Sequence, residues 1–162
     1  QNLIKMASAQ GIAAERLVFA PRVSIADHLA RHIHADLFLD TLPYNAHTTC
    51  SDALWMGLPV LTYVGDTFAA RVAGSLLTAA DTPELITYSL QDYENKALYL
   101  ANNQSALEKI KQKLLATKLT SALFDTTNFA GALEDIYQAM WQQYSITAES
   151  NNFADNECKI LC

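Results

Sequence analysis

Up to about residue 88, short unbroken apolar runs alternate with stretches where apolar and polar positions mix. Runs of that kind, bounded by turn residues, predict buried strands. Leu17-Val18-Phe19-Ala20, stopped by Pro21, is the first. Asp36 to Asp40 and Pro59 to Val64 are the next two, and Glu84-Leu85-Ile86-Thr87 reads as one more short strand. Helices fall between them. Asn2 to Gln10 stops at Gly11, a fitting C-terminal residue. Ser24-Ile25-Ala26-Asp27 has the form of a capped helix start and predicts a helix to about Ile33. Thr49 to Met56 closes at Gly57, and Thr67 to Ala79 follows a Gly65-Asp66 turn.

Beyond residue 88 the apolar positions recur at helical spacing. Tyr93, Ala97, Leu100 and Ala101 share one face; Leu107, Ile110, Leu114 and Leu115 share another. Phe129, Leu133, Ile136, Tyr137, Met140 and Trp141 make a third, and all three are expected to pack in the core. From Ser145 the chain turns polar and loses its period, which predicts a loose, disordered tail over residues 145–162 after a domain of residues 1–144. Strand–helix alternation with short loops predicts an α/β fold, a Rossmann-like parallel sheet flanked by helices.

The chain has 162 residues, enough for one domain with a sizeable core. Its net charge of −6 argues against a nucleic-acid surface. It leaves room for a nucleotide, which local geometry can hold inside an acidic protein. Apolar runs are too short to cross a membrane. The first residues carry neither an initiator Met nor a signal-peptide pattern, so the chain reads as a piece of a longer protein. Cys50, Cys158 and Cys162 form no framework, which suits a reducing, cytoplasmic setting.

In doubly wound sheets, ligands sit beyond the carboxyl ends of the strands. Pro21 to Ser24, Thr41 to Thr48 and Gly65 to Thr67 would share that rim. His28 and Arg31, three apart, fall on one helix face, where they could stack on a base and bond its edge, or only meet solvent. His28 and His32 have a metal-like spacing, but no carboxylate completes a zinc motif, and no metal is expected. His47, Thr48 and Thr49 enter the first turn of a helix. Free amides and the helix dipole there favour a phosphate, while Thr49 with Asp52 could equally be a capping box. Asp52 could accept from ribose hydroxyls. There is no glycine-rich phosphate loop and no nucleophile elbow.

The order of Leu17-Val18-Phe19-Ala20-Pro21, Asp27-His28, Arg31, Ala35 to Thr41, Asn45-Ala46-His47-Thr48-Thr49 and Asp52 to Val60 resembles the C-terminal catalytic half of O-GlcNAc transferases and SPINDLY-type transferases. The likeness continues through Gly65-Asp66-Thr67, Arg71-Val72-Ala73 and Pro83 to Ile86, as far as Met140-Trp141. It implies the C-terminal lobe of a GT-B glycosyltransferase, its first strand missing and an N-terminal GT-B lobe facing it. In the parent protein, tetratricopeptide repeats would recruit acceptors.

By motif position, His28 would stack near a uracil and Arg31 would approach its edge. His47, Thr48 and Thr49 would hold the diphosphate and sugar, Asp52 would meet the ribose, and Tyr44 and Asn45 would lie close to the sugar. The implied reaction is an inverting, metal-independent transfer from a UDP-sugar, UDP-GlcNAc above all, to Ser or Thr hydroxyls of proteins. The fragment alone is expected to be inactive. Where many relatives carry a Lys, three residues before the helix histidine, this chain has Ile25. The alternatives are a non-catalytic α/β interaction module, or a GT-B enzyme using GDP-fucose or UDP-glucose.

Overall fold

A computed structural model describes residues 2–160, with side chains described through Ile146. Leu161 and Cys162, and the side chains of residues 147–160, Cys158 among them, lie outside the described residues; up to Ile160 the backbone of the expected loose tail continues a helix.

Three parallel strands form the sheet: β1 (Phe38–Leu39), β2 (Val60–Tyr63) and β3 (Ile86–Thr87), in that spatial order. Phe38 pairs with Val60 and Leu39 with Leu61; Thr62 pairs with Ile86 and Tyr63 with Thr87. β2 lies in the middle, and its Val60, Leu61 and Thr62 are fully buried. An unbroken apolar strand is what a parallel sheet covered on both faces requires.

The helices are α1 (Asn2–Ala9), α2 (Ile25–Ala30), α3 (Thr48–Trp55), α4 (Val72–Ala79), α5 (Leu90–Asn102), α6 (Gln104–Thr117) and α7 (Thr126–Ile160). The Rossmann-like expectation therefore holds. Ser24 caps α2: its Oγ accepts from the Asp27 amide at 3.2 Å and donates to the Asp27 carboxylate at 2.7 Å. Two glycines stop helices as expected, Gly11 at φ +74° and Gly57 at φ +76°.

Cys50, Ala53 and Leu54 of α3, Ala73 and Leu77 of α4, Leu100 of α5, and Leu107 and Leu114 of α6 close over the sheet as one core. Each buried leucine contributes about 2 kcal/mol from apolar surface removed from water. At the edge of that core, Trp55 meets Phe124 edge-on at 5.0 Å, and the Lys118 ammonium sits 3.8 Å above the Trp55 ring.

Three expectations need correction. Leu17–Ala20 joins no strand: Val18 and Phe19 are exposed, and the segment lies against α1, lining an open apolar groove with Leu3 and Met6. An apolar run becomes a strand only where a neighbouring edge pairs with it, and no described strand flanks it. The helix expected from Thr67 begins only at Val72, because residues 65–71 form a loop tied by the Gly65 amide to the Ala70 carbonyl and by the Ala70 amide to Thr67 Oγ. The apolar stripe of α7 is not in the core. Phe129, Ile136, Tyr137, Met140 and Trp141 are all more than half exposed. Helical periodicity marks an apolar face without saying what covers it.

Candidate functional site

The site lies where the loops leave the carboxyl ends of β1 and β2. Asp40, just past β1, is 3% exposed and organises the first of them. Its Oδ1 accepts from the amides of Thr41, at 2.8 Å, and Ala46, at 2.7 Å. Its Oδ2 accepts from Thr62 Oγ at 2.6 Å, which fastens the loop to β2. The Tyr93 hydroxyl donates to the Asp40 carbonyl at 2.9 Å, bringing α5 into the same support.

The loop after β2 is drawn in alongside. The Asn45 amide donates to the Ala69 carbonyl at 3.0 Å, and Asn45 Nδ2 donates to the carbonyls of Thr41 and Tyr63. Asn45 is therefore buried at 1% exposure, its amide group turned into the protein, with Oδ1 lacking a hydrogen-bond partner. Next to it, the exposed Tyr44 ring stacks on His47, centroids 4.9 Å apart and 16° between planes. Phe68, from the loop after β2, meets the same imidazole edge-on at 6.3 Å. Nothing in the sequence spacing pointed to Phe68, which reaches His47 only through the pairing of the two loops.

His47 is the N-cap of α3, and its carbonyl accepts the first helical bonds, from Cys50 and Ser51. Its side chain makes no cap, nor does Thr49 with Asp52: the expected capping box is not formed because the helix begins one residue earlier, at Thr48. Thr48 and Thr49 are exposed, and their amides have no backbone acceptor among the described residues. Two free N–H groups, two hydroxyls and the positive end of the helix dipole thus face solvent together.

Asp52 lies three and four residues on, on the same side of α3. Its Oδ2 is 3.6 Å from His28 Nε2. Arg31 donates to His28 Nδ1 at 2.6 Å and to the Pro21 carbonyl at 3.0 Å. Since a guanidinium can only donate, Nδ1 must accept, and the ring proton sits on Nε2, facing Asp52. His32 packs edge-on against the His28 ring, centroids 4.9 Å apart, with its Nδ1 against the carbonyls of His28 and Leu29 at 2.8 and 3.1 Å. Ile25, at the helix start, is exposed.

Of the residues singled out from sequence, His28, Arg31 and Asp52 form one direct cluster, and Tyr44 and His47 form another. Thr48 and Thr49 join the two along α3. All three rim loops take part: Pro21 through Arg31, the 40–47 loop through Asp40, and the 65–71 loop through Ala69. The result is an open shelf with a helix N-terminus in the middle.

The sequence pattern described as Glycosyl transferase family 41 matches residues 1–133. This chain belongs to that family. It is similar to a protein from Arabidopsis thaliana named "Probable UDP-N-acetylglucosamine--peptide N-acetylglucosaminyltransferase SEC", 37% identical over 91% of the chain and 15% of the relative. A UDP-N-acetylglucosamine--peptide N-acetylglucosaminyltransferase of Caenorhabditis elegans is 31% identical over 96% of the chain and 14% of the relative. Among solved structures, a point mutant of the Thermobaculum terrenum O-GlcNAc transferase superposes with a TM-score of 0.84 at 35% identity. That match covers 91% of this chain and 28% of the other, and it bears out the GT-B lobe expected from the sequence. The family 41 chain described here thus spans about a seventh of the length of the first two relatives.

Proposed function

We propose that this family 41 chain is the donor-binding lobe of a glycosyltransferase that moves a sugar, GlcNAc from UDP-GlcNAc, to Ser or Thr hydroxyls of proteins. The observation that carries the reading is the convergence at α3: unbonded Thr48 and Thr49 amides beside His47, with His28, Arg31 and Asp52 one turn away. A diphosphate fits the helix N-terminus. A ribose placed along α3 would meet Asp52, and a base beyond it would meet His28, whose ring orientation Arg31 and Asp52 already set.

In the inverting reaction this implies, the acceptor oxygen attacks the anomeric carbon and the diphosphate departs from the opposite side. The Thr48 and Thr49 donors, fixed before the reaction, would stabilise the charge that builds on the leaving oxygens without a metal. One well-placed donor of that kind is worth about 3 kcal/mol. The acceptor and the groups that deprotonate it would come from a facing lobe of the parent protein. Tyr44, stacked on His47, would border the sugar. The Asn45 amide, held inside the loop, would act through the shape of that loop.

Amide NMR spectra of the chain titrated with UDP, GDP and UDP-GlcNAc test the reading. UDP and UDP-GlcNAc should shift the His28, Thr48, Thr49 and Asp52 resonances, with GDP weaker. Shifts confined to other surfaces would overturn it.

A further inference from the structure

We propose that Asp40 is a positioning residue for the donor site: a buried carboxylate clamp that holds the 41–47 loop and so places His47, Thr48 and Thr49. The inference rests on the donor-site reading above and extends it to a residue that touches no ligand. Three donors converge on this one side chain from two elements, the Thr41 and Ala46 amides at Oδ1 and Thr62 Oγ at Oδ2. The two amides bracket the loop from its first residue to the one before His47, so one oxygen atom closes the turn. The Thr62 hydroxyl ties that oxygen's partner to the central strand. Thr62 is fixed in turn, since its carbonyl accepts from Thr87 Oγ of β3 at 2.8 Å. The register of the rim loop is thereby referred to the whole sheet.

A carboxylate accepts at both oxygens, whereas Ser or Thr offers one oxygen. An isolated buried carboxylate is costly, and here the three short bonds offset its loss of water. Two neighbours register its negative charge: it adds to burial in pushing up the Cys50 thiol and the Tyr93 hydroxyl.

Asp40→Asn keeps Oδ1 as acceptor for both amides and can donate to the Thr62 hydroxyl oxygen. Asp40→Leu removes the clamp and keeps the same branched arrangement of side-chain heavy atoms. Hydrogen exchange and UDP calorimetry on the 162-residue chain separate them. In Asp40→Leu, the Ala46 amide should exchange at least tenfold faster while the Leu61 amide in β2 stays protected, and UDP affinity should fall at least tenfold. Asp40→Asn should restore both to within about threefold. Should Asp40→Leu not fold, Thr62→Val removes only the strand anchor and should speed Ala46 exchange at least threefold. Unchanged Ala46 exchange in the folded variant overturns the clamp. Faster exchange with unchanged UDP affinity overturns the positioning role. Failure of the wild-type chain to bind UDP defeats the donor-site reading instead, and leaves the clamp to be judged on exchange alone.

Discussion

His28 Nε2 lies 3.6 Å from Asp52 Oδ2, joining α2 to α3 across the rim. Both side chains remain about 30% exposed, so water screens the pair and its share of stability is under about 1 kcal/mol. Its consequence is orientation. With Arg31 at Nδ1 and Asp52 facing Nε2, the imidazole presents one edge to each and leaves a face for a ligand. Asp52→Ala should therefore leave the urea midpoint nearly unchanged and weaken UDP binding by roughly tenfold. A large loss of stability with unchanged affinity would contradict this.

The exposed stripe of α7 predicts an asymmetry in stability. Replacing Tyr137 and Trp141 together by Ser should cost less than about 1 kcal/mol, because neither is buried in this chain. Leu77→Ala, at a fully buried position, should cost about 3 kcal/mol. Urea denaturation of both variants checks this, and equal costs would mean that α7 is covered.

Gly57 ends α3 at φ +76°, and a Cβ there would come within 2.7 Å of Leu115 Cδ2. Gly57→Ala combines backbone strain with a displaced side chain. It should lower stability by roughly 1–3 kcal/mol, read from the urea midpoint at constant slope.

Cys50 lies in the first turn of α3, where a helix dipole would favour a thiolate. Burial, and after it the nearby Asp40, prevail and push the thiol up to about 12 from an ordinary value of 9.0. Between those values the unfolded chain gives up the proton and the folded chain keeps it, so stability falls as pH rises. Tyr93, raised by burial and Asp40, acts in the same direction. From pH 8 to 10.5 the wild type should lose about 2 kcal/mol more than Cys50→Ala, measured by urea melts at each pH. Parallel losses would contradict it.

The sheet and its rim were readable because they depend on local rules. Apolar runs bounded by Asp36 and Asp40 and by Pro59 and Gly65 located β1 and β2, Gly57 and Gly11 marked helix ends, and the His47-Thr48-Thr49 step fell at a helix start as expected. Other features depend on partners distant in the chain. Asp40 looks like any acidic residue after a strand until Thr62 and Ala46 fold onto it. Phe68 finds His47 only when Asn45 bonds to Ala69. Leu17–Ala20 and the α7 stripe are apolar enough to be buried, and pattern alone cannot say that Val18, Phe19 and most of that stripe stay exposed. The missed capping box has a smaller cause: the helix starts one residue before Thr49, so that hydroxyl is in the first turn instead of at its cap.

The donor-site account is tested most directly by calorimetry of UDP against the wild-type chain and a Thr48→Ala, Thr49→Ala double variant. Both threonines are exposed, so the variant should melt with the wild type to within about 1 kcal/mol. The account predicts measurable UDP binding by the wild type that weakens at least tenfold in the variant. A folded wild-type chain that ignores UDP, or a variant that binds it equally well, would contradict it.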